Sequence, residues 1–169
     1  TSKGGKAIMT KPNHPSGTDR IFEAFSSLKN KDDYESIINL QGDMPLIDPM
    51  FLESVNKPLM HSYEIATIAT DITEKEEENL NITKVLVNWN KTNLVGESID
   101  FYKEPKKQLE NIYQHVGIYS FKPNSLYEFV SMKPSKSEID RKLEQLRLLD
   151  AGIKIGITYV EKIPISVDT

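Results

Sequence analysis

The residues best suited to chemistry in this sequence lie at the end of an apolar run near position 40. Gln41, Gly42 and Asp43 follow the β-branched stretch 36–40, and Pro45 precedes a segment of helical character. This order predicts a buried parallel strand that delivers an acid at its carboxyl end, where open α/β sheets bind ligands. Gly42 allows a ligand to approach the backbone, and Asp43 can face a divalent cation. An Asx-type turn that closes a strand explains the same residues without a ligand.

A second group of polar residues lies in a turn-rich loop that feeds the first predicted helix. Apolar residues recur at helical spacing after Arg20, which predicts a first turn near Thr18. Thr18 is a good helix cap, and backbone amides from Ser16 to Asp19 could face a phosphate or a nucleobase. Capping alone accounts for Thr18 and Asp19. Only Arg20, beside a glycine turn, therefore indicates an anionic ligand.

A third candidate site lies on a predicted strand over 115–121. With a period of two residues, His115, Gly117 and Tyr119 share one face, and Val116 and Ile118 share the other. A titratable ring, a bare backbone and a phenol side by side form a plausible ligand wall. A half-exposed strand whose His and Tyr make structural hydrogen bonds fits the pattern equally well.

One continuous helix is predicted between a capping box at Ser137 and a stop at Gly152. Its predicted buried stripe consists of Ile139, Leu143, Leu146 and Leu149. Arg141, Glu144 and Gln145 lie off that stripe. Arg141 and Glu144, three residues apart, can form a surface ion pair.

The elements that must position these residues alternate between strand and helix. A helix is predicted over 49–59, with strands at 65–69, 83–89 and 153–160 around it, and this order is typical of an α/β sheet. A last strand at 164–167 delivers Asp168, a second acid that follows a strand. The glutamate-rich segment 71–81 is predicted to be a solvated surface segment.

The composition limits the classes of function. The chain has 169 residues, enough for one domain with a sizeable core, and 21 basic against 25 acidic residues, with only three arginines. This charge balance argues against a nucleic-acid-binding protein. The absence of cysteine excludes disulfides, thiol nucleophiles and cysteine metal sites. No apolar run is long enough to span a membrane, which predicts a soluble cytoplasmic protein, and the first residue, Thr1, leads us to expect a fragment of a longer chain.

Five motifs, in this order along the chain, resemble the 3-deoxy-manno-octulosonate cytidylyltransferases, or CMP-Kdo synthetases. They are His14-Pro-Ser-Gly-Thr-Asp-Arg20, Gln41-Gly-Asp-Met-Pro-Leu-Ile47, His115-Val-Gly-Ile-Tyr119, Leu143-Glu-Gln-Leu-Arg147 and Val167-Asp-Thr169. The resemblance implies an α/β, Rossmann-like nucleotidyltransferase fold, in which a mixed, mainly parallel sheet lies between helices. It also implies one domain over 1–169 that is incomplete at its N-terminus, in which about 100–135 contributes a small dimerisation subdomain. The implied protein is a homodimer.

The resemblance further implies a reaction and a set of site residues. CTP and 3-deoxy-manno-octulosonate (Kdo) give CMP-Kdo and pyrophosphate, for lipopolysaccharide assembly in Gram-negative bacteria. Asp43 and Asp168 would be the catalytic acids and would hold magnesium. The implied CTP contacts are Ser16, Gly17, Thr18 and Arg20. The implied Kdo contacts are Gln41, His115, Tyr119, Glu144 and Gln145.

The sequence departs from this family's pattern in three places. An opening strand with an Arg- and Lys-rich CTP-gripping loop has no counterpart, and neither does the acidic helix after Val167-Asp-Thr169. In addition, 100–107 replaces an arginine-bearing stretch. We expect omitted segments to explain these departures, because a lost opening strand would expose the middle of a sheet. The alternatives are another sugar-acid cytidylyltransferase, such as a CMP-sialic acid synthetase, or a degenerate dimeric binding module without catalysis.

Overall fold

The computed structural model describes residues 4–90, 95–106 and 109–164, which form a six-stranded sheet with helices packed on both faces. The strands are β1 (Ile37–Asn39), β2 (Ile65–Thr70), β3 (Lys84–Trp89), β4 (Val95–Tyr102), β5 (Ile112–Phe121) and β6 (Ile155–Tyr159). The α-helices are α1 (Gly17–Ser26), α2 (Pro49–Asn56), α3 (Glu74–Glu77), α4 (Pro123–Ser131), α5 (Lys136–Arg141) and α6 (Leu146–Asp150). Short 3₁₀ helices cover Lys31–Asp33 and Lys57–His61.

The sheet is mixed, with the strand order β1-β5-β2-β6-β4-β3. Among the described strands only β2 and β6 pair in parallel, and the other pairings are antiparallel. The mixed α/β fold is thus confirmed, but the expectation of a mainly parallel sheet is wrong for this part of the chain. The reason is β5, which runs antiparallel to each of the strands it pairs with, β1, β2 and β3.

The strand that leads to Asp43 does not have the predicted environment. We expected a buried parallel strand at 36–40, but β1 spans three residues and pairs antiparallel with the end of β5. Within the described residues β1 lies at the edge of the sheet. Ile37 and Ile38 are half-buried and only Asn39 is fully buried. The apolar run therefore ends in a short edge strand.

Two hydrophobic clusters stabilise opposite faces of the sheet. One lies under α4 and α6 and includes Phe101, Leu126 and Leu146. The other lies under α2 and includes Phe51 and Ile68. Residues of β2 and β5 alternate between the clusters, because successive side chains of a strand point to opposite faces.

The helix predicted to run continuously up to Gly152 is interrupted. Helix α5 ends at Arg141 because Lys142 adopts a left-handed conformation, with φ 57° and ψ 45°. The capping box forms between Ser135 and Glu138 and not at Ser137, so the prediction was wrong by two residues. Helix α6 begins only at Leu146.

The interruption also changes which residues are buried. Ile139 was predicted in the buried stripe but is 64% exposed, whereas Leu143 and Leu146 are buried. A short non-helical segment, 142–145, now separates α5 from α6. Glu144 and Gln145 lie in this segment.

The acidic segment 71–81 is largely exposed, as predicted, and contains the short helix α3. Within the described ranges, no helix is both long enough and apolar enough to cross a membrane.

Candidate active site

A series of side-chain hydrogen bonds, all pointing the same way (the hydrogen-bond chain), joins three places. These are the loop that leads into helix α1 with the first turn of that helix (the α1 loop), the end of β1, and the segment before α6. The Thr18 hydroxyl donates to Glu144 Oε1 at 2.8 Å, across 126 positions of the sequence. Asn39 Nδ2 donates to Thr18 Oγ1 at 3.2 Å, and Gln41 Nε2 donates to Asn39 Oδ1 at 3.1 Å. Three of the predicted motifs therefore meet at one place.

Two buried polar atoms beside this chain have no hydrogen-bond partner in the structure. They are Glu144 Oε2 and the Tyr119 hydroxyl. Burial, and then the negative charge of Glu144, raise the pKa of Tyr119 well above its usual value of 10. A neutral phenol and a carboxylate oxygen without partners are a donor and an acceptor available to a ligand. Six other buried polar atoms of the described residues, among them the Tyr102 hydroxyl, also lack a hydrogen-bond partner, so the position of this pair beside the hydrogen-bond chain is what makes it a candidate binding position.

His115 lies beside Tyr119, and the centroids of the two rings are 5.3 Å apart. The predicted shared face of these two residues is therefore confirmed. His115 Nε2 is 3.0 Å from Thr67 Oγ1, whose single hydrogen is directed to the carbonyl of Ile118 at 2.7 Å. Nε2 must then carry the proton and donate, which leaves Nδ1 as an acceptor. Burial lowers the pKa of His115 to about 3, so the ring is neutral near pH 7.

The α1 loop is built by capping and by internal hydrogen bonds. Ser16, and not Thr18 as predicted, caps α1, since Ser16 Oγ accepts from the backbone amide of Asp19. The Arg20 guanidinium donates to Thr10 Oγ1 and to the carbonyls of Lys11 and Pro12, so it holds the loop in place. Within the described ranges, Arg20 forms no ion pair with a glutamate or an aspartate.

Gly17 lies against the Gln41 side chain. A Cβ atom added at Gly17 would be 3.5 Å from Gln41 Nε2. The loop and the end of β1 are therefore in contact at the first turn of α1, and the amides at a helix N-terminus are a general site for anions.

Asp43 lies in an exposed turn after β1 and makes no hydrogen bond or ion pair to a described residue. No group of three or more acidic or histidine residues suited to a metal occurs in the described ranges. A single free carboxylate still fits Mg²⁺, which proteins commonly bind through one or two carboxylates and the phosphates of a substrate. The second predicted acid, Asp168, lies outside the described residues. The strand predicted at 164–167 also lies outside them after residue 164.

The segment that carries Glu144 and Gln145 is held by Arg147. Its guanidinium makes a bidentate pair with Glu138, at 2.8 Å and 2.6 Å, and donates to the carbonyls of Phe129 and Met132 at the end of α4. Gln145 is buried. The predicted surface pair between Arg141 and Glu144 is wrong: Arg141 pairs with Asp100, because the break at Lys142 separates the two residues.

Sequence reasoning missed two residues of this site, Asn39 and Thr67. Both are buried polar side chains inside apolar strands, β1 and β2. A polar residue in the run Ile37-Ile-Asn-Leu40 was the available signal for Asn39. Its partners come from distant parts of the chain and could not be read from the run itself.

Known proteins match this chain over most of its length. A family model described as cytidylyltransferase matches residues 1–155. The 3-deoxy-manno-octulosonate cytidylyltransferase of Paramagnetospirillum magneticum is 38% identical over 169 residues, covering 98% of this chain and 69% of that protein. The enzyme of the same description from a strain of Rhodopseudomonas palustris is 40% identical, with the same two shares.

Solved structures show the same relationship. A structure of CMP:2-keto-3-deoxy-manno-octonic acid synthetase complexed with CTP matches with a TM-score of 0.86 and 32% sequence identity, covering 99% of this chain and 69% of that one. A 4-diphosphocytidyl-2C-methyl-D-erythritol synthase from Anaerococcus prevotii matches with a TM-score of 0.54 at 10% identity, which concerns the fold alone.

Proposed function

Because this chain belongs to the 3-deoxy-manno-octulosonate cytidylyltransferase family, we propose that it transfers CMP from CTP to the anomeric hydroxyl of Kdo, giving CMP-Kdo and pyrophosphate. The observation that carries this proposal is the pair of unpartnered buried atoms, Glu144 Oε2 and the Tyr119 hydroxyl, beside the α1 loop. A site for a polyhydroxylated acid next to the N-terminus of a helix is what this transfer requires.

The reaction needs positioning more than a dedicated protein base. The anomeric oxygen of Kdo forms a bond to the α-phosphorus of CTP, the bond from that phosphorus to pyrophosphate breaks, and the hydroxyl proton passes to water. Both substrates are anions, so the protein must hold them together and offset their charge. With its low pKa, His115 is a poor base, and we assign it a hydrogen-bonding role.

We assign the CTP contacts to Ser16, Gly17, Thr18 and Arg20. Backbone amides at the start of α1 are suited to a phosphate or a nucleobase. The Arg20 guanidinium also donates to Thr10 and to two carbonyls, which holds the loop in shape.

The proposed sugar contacts are Gln41, His115, Tyr119, Glu144 and Gln145. Tyr119 donates a hydrogen bond, while Glu144 Oε2 and His115 Nδ1 accept. Each therefore selects for a sugar hydroxyl, because a ligand without that hydroxyl would leave a buried group unpaired.

Magnesium is the proposed cofactor, held by Asp43 together with Asp168. When bound, the ion would neutralise phosphate charge and lower the pKa of the attacking hydroxyl. The exposed carboxylate of Asp43 offers the oxygen ligands that Mg²⁺ prefers.

The test is pyrophosphate release by the intact protein from CTP, Kdo and magnesium. We expect metal-dependent release that Asp43→Ala abolishes and that Asp33→Ala, an exposed control on the 3₁₀ helix Lys31–Asp33, leaves unchanged. Faster turnover of N-acetylneuraminate than of Kdo would instead identify a sialic acid enzyme. CTP binding without release by folded protein would identify the binding module.

We further propose that the protein acts in the cytoplasm, since the reaction consumes CTP. We also propose that it is a homodimer. The range 100–135, which includes all of β5 and all of α4, carries the exposed side chains of Leu109 and Tyr127. Sedimentation equilibrium should give a dimer that Tyr127→Lys weakens and Met60→Lys, at an exposed position outside the range, does not. A monomeric wild type would contradict this proposal.

A further inference from the structure

Asn39 is the most buried member of the hydrogen-bond chain, together with Thr18, at 1% exposure each. It lies directly across from Tyr119 in the antiparallel pairing of β1 with β5. Its amide group connects the Gln41 side chain on one side with Thr18 on the other. Asn39 makes no hydrogen bond to the unpartnered Tyr119 hydroxyl or to Glu144 Oε2.

The donors and acceptors of these three hydrogen bonds allow only one direction for each bond. Thr18 has a single hydroxyl hydrogen, and the carboxylate of Glu144 can only accept it. Thr18 Oγ1 must then accept from Asn39 Nδ2, which leaves Asn39 Oδ1 to accept from Gln41 Nε2. Gln41 Oε1 is thereby turned away from Asn39.

An amide is the side chain that meets both demands at position 39. It donates to a hydroxyl and accepts from an amide at the same time, in a place where a buried unpaired group is costly. Without its donor, the Thr18 hydroxyl is free to turn away from Glu144, and the carboxylate loses the contact that fixes its rotamer. Without its acceptor, Gln41 is free to flip its amide.

We propose that Asn39 is a positioning residue for the sugar acid, which acts through Thr18 on Glu144 and directly on Gln41. The inference rests on the proposed function, since it concerns how the same site holds Kdo. Asn39 is not one of the predicted sugar contacts. Its role is to orient two of them, Glu144 and Gln41.

The first variant is Asn39→Asp, which keeps the size and the acceptor but loses the donor. Using pyrophosphate release by the intact protein, we expect the KM for Kdo to rise by roughly tenfold and the KM for CTP to change by less than about twofold. Asn56→Asp is the matched control, because the Asn56 side chain likewise accepts one hydrogen bond, from the Ser120 hydroxyl, and donates another, to the Leu52 carbonyl. It should leave both KM values unchanged.

A pH series separates positioning from a general loss of structure. The titratable and charged side chains of this cluster are Glu144, Tyr119 and His115, with Asp19, Glu138 and Arg147 close by. All of them are also present in the wild type, so the ratio of variant to wild-type KM reports the introduced carboxyl. Burial raises the pKa of that carboxyl, and its protonated form can donate to Thr18 as the amide does. The ratio should therefore fall as the pH is lowered from about 8 to about 5.5.

Thr18→Val tests the relay without adding a charge. This variant should raise the KM for Kdo, Thr18→Ser should not, and adding Asn39→Asp to Thr18→Val should raise it little further, because the pathway is already broken. The Thr18 variants test the proposed role of Asn39 even if Asn39→Asp does not fold. Equal losses for both substrates, a ratio independent of pH, or additive effects would overturn the inference. If the wild type releases no pyrophosphate, the proposed function fails instead.

Discussion

At the scale of single residues, we expect the unpartnered Tyr119 hydroxyl to contribute to the binding of Kdo and little to the free energy of unfolding. Tyr119→Phe removes a buried polar atom without leaving another one unpaired, so the free energy of unfolding should change by no more than about 1 kcal/mol. The KM for Kdo should rise by roughly tenfold, because a sugar oxygen loses its donor.

Tyr102→Phe is the matched control for this prediction. The Tyr102 hydroxyl is also buried without a partner, and burial raises its pKa to about 12. Tyr102 lies on β4, with the Lys106 ammonium over its ring. Equal kinetic effects of the two variants would show that Tyr119 has no special role toward the sugar.

His115 predicts a specific pH dependence of stability. Its pKa is about 3 in the folded protein and about 6.5 when unfolded, so only the unfolded state takes up a proton between these values. The free energy of unfolding should be highest above pH 6.5 and should fall by at most about 1.4 kcal/mol per pH unit below it.

His115→Gln keeps a donor for Thr67 but does not titrate in this range. Urea unfolding at a series of pH values should therefore show a weaker acid dependence for the variant than for the wild type. Parallel curves for the two proteins would assign the dependence to other groups, such as the exposed Glu76 and Asp150, whose pKa values are lowered by hydrogen bonds.

At the scale of elements, Arg147 joins three helices. It lies in α6, pairs with Glu138 in α5 and donates to carbonyls at the end of α4, while only 5% of its side chain is exposed. Arg147→Met leaves the Glu138 carboxylate without its partner, and we expect the free energy of unfolding to fall by about 3–5 kcal/mol.

Arg141→Met provides the comparison for this buried pair. Arg141 pairs with Asp100 at the same 2.6 Å, but 41% of its side chain is exposed, so we expect a loss of about 1 kcal/mol or less. Chemical denaturation of both variants measures the difference. Similar losses would mean that burial does not distinguish the two ion pairs.

At the scale of the whole molecule, the two hydrophobic clusters share strands β2 and β5. Ile68 and Leu126, one in each cluster, are completely buried. Ile68→Ala and Leu126→Ala should each lower the free energy of unfolding by about 2–5 kcal/mol. Because the clusters have strands in common, each variant should still unfold in one transition, with coincident near- and far-ultraviolet circular dichroism curves. Separate transitions would show that the two faces unfold independently.

Several features of this protein follow from the sequence by itself. Alternation over 115–121 placed His115 and Tyr119 on one face, because the period of a strand is a local property of the backbone. The charged segment 71–81 is exposed, since charged side chains are rarely buried without partners. The ordered motifs indicated the cytidylyltransferase family, which the comparisons confirm.

Only the tertiary structure decided which distant residues meet. The edge position of β1, the pairing of Arg147 with Glu138 and the contact of Thr18 with Glu144 depend on how β5 and the broken α5–α6 segment pack. Local propensity favoured a buried parallel strand and one continuous helix, but pairing and packing over long range outweigh it. For the same reason Asn39 could be read from the sequence as a polar residue in a strand, but not as the centre of the hydrogen-bond chain.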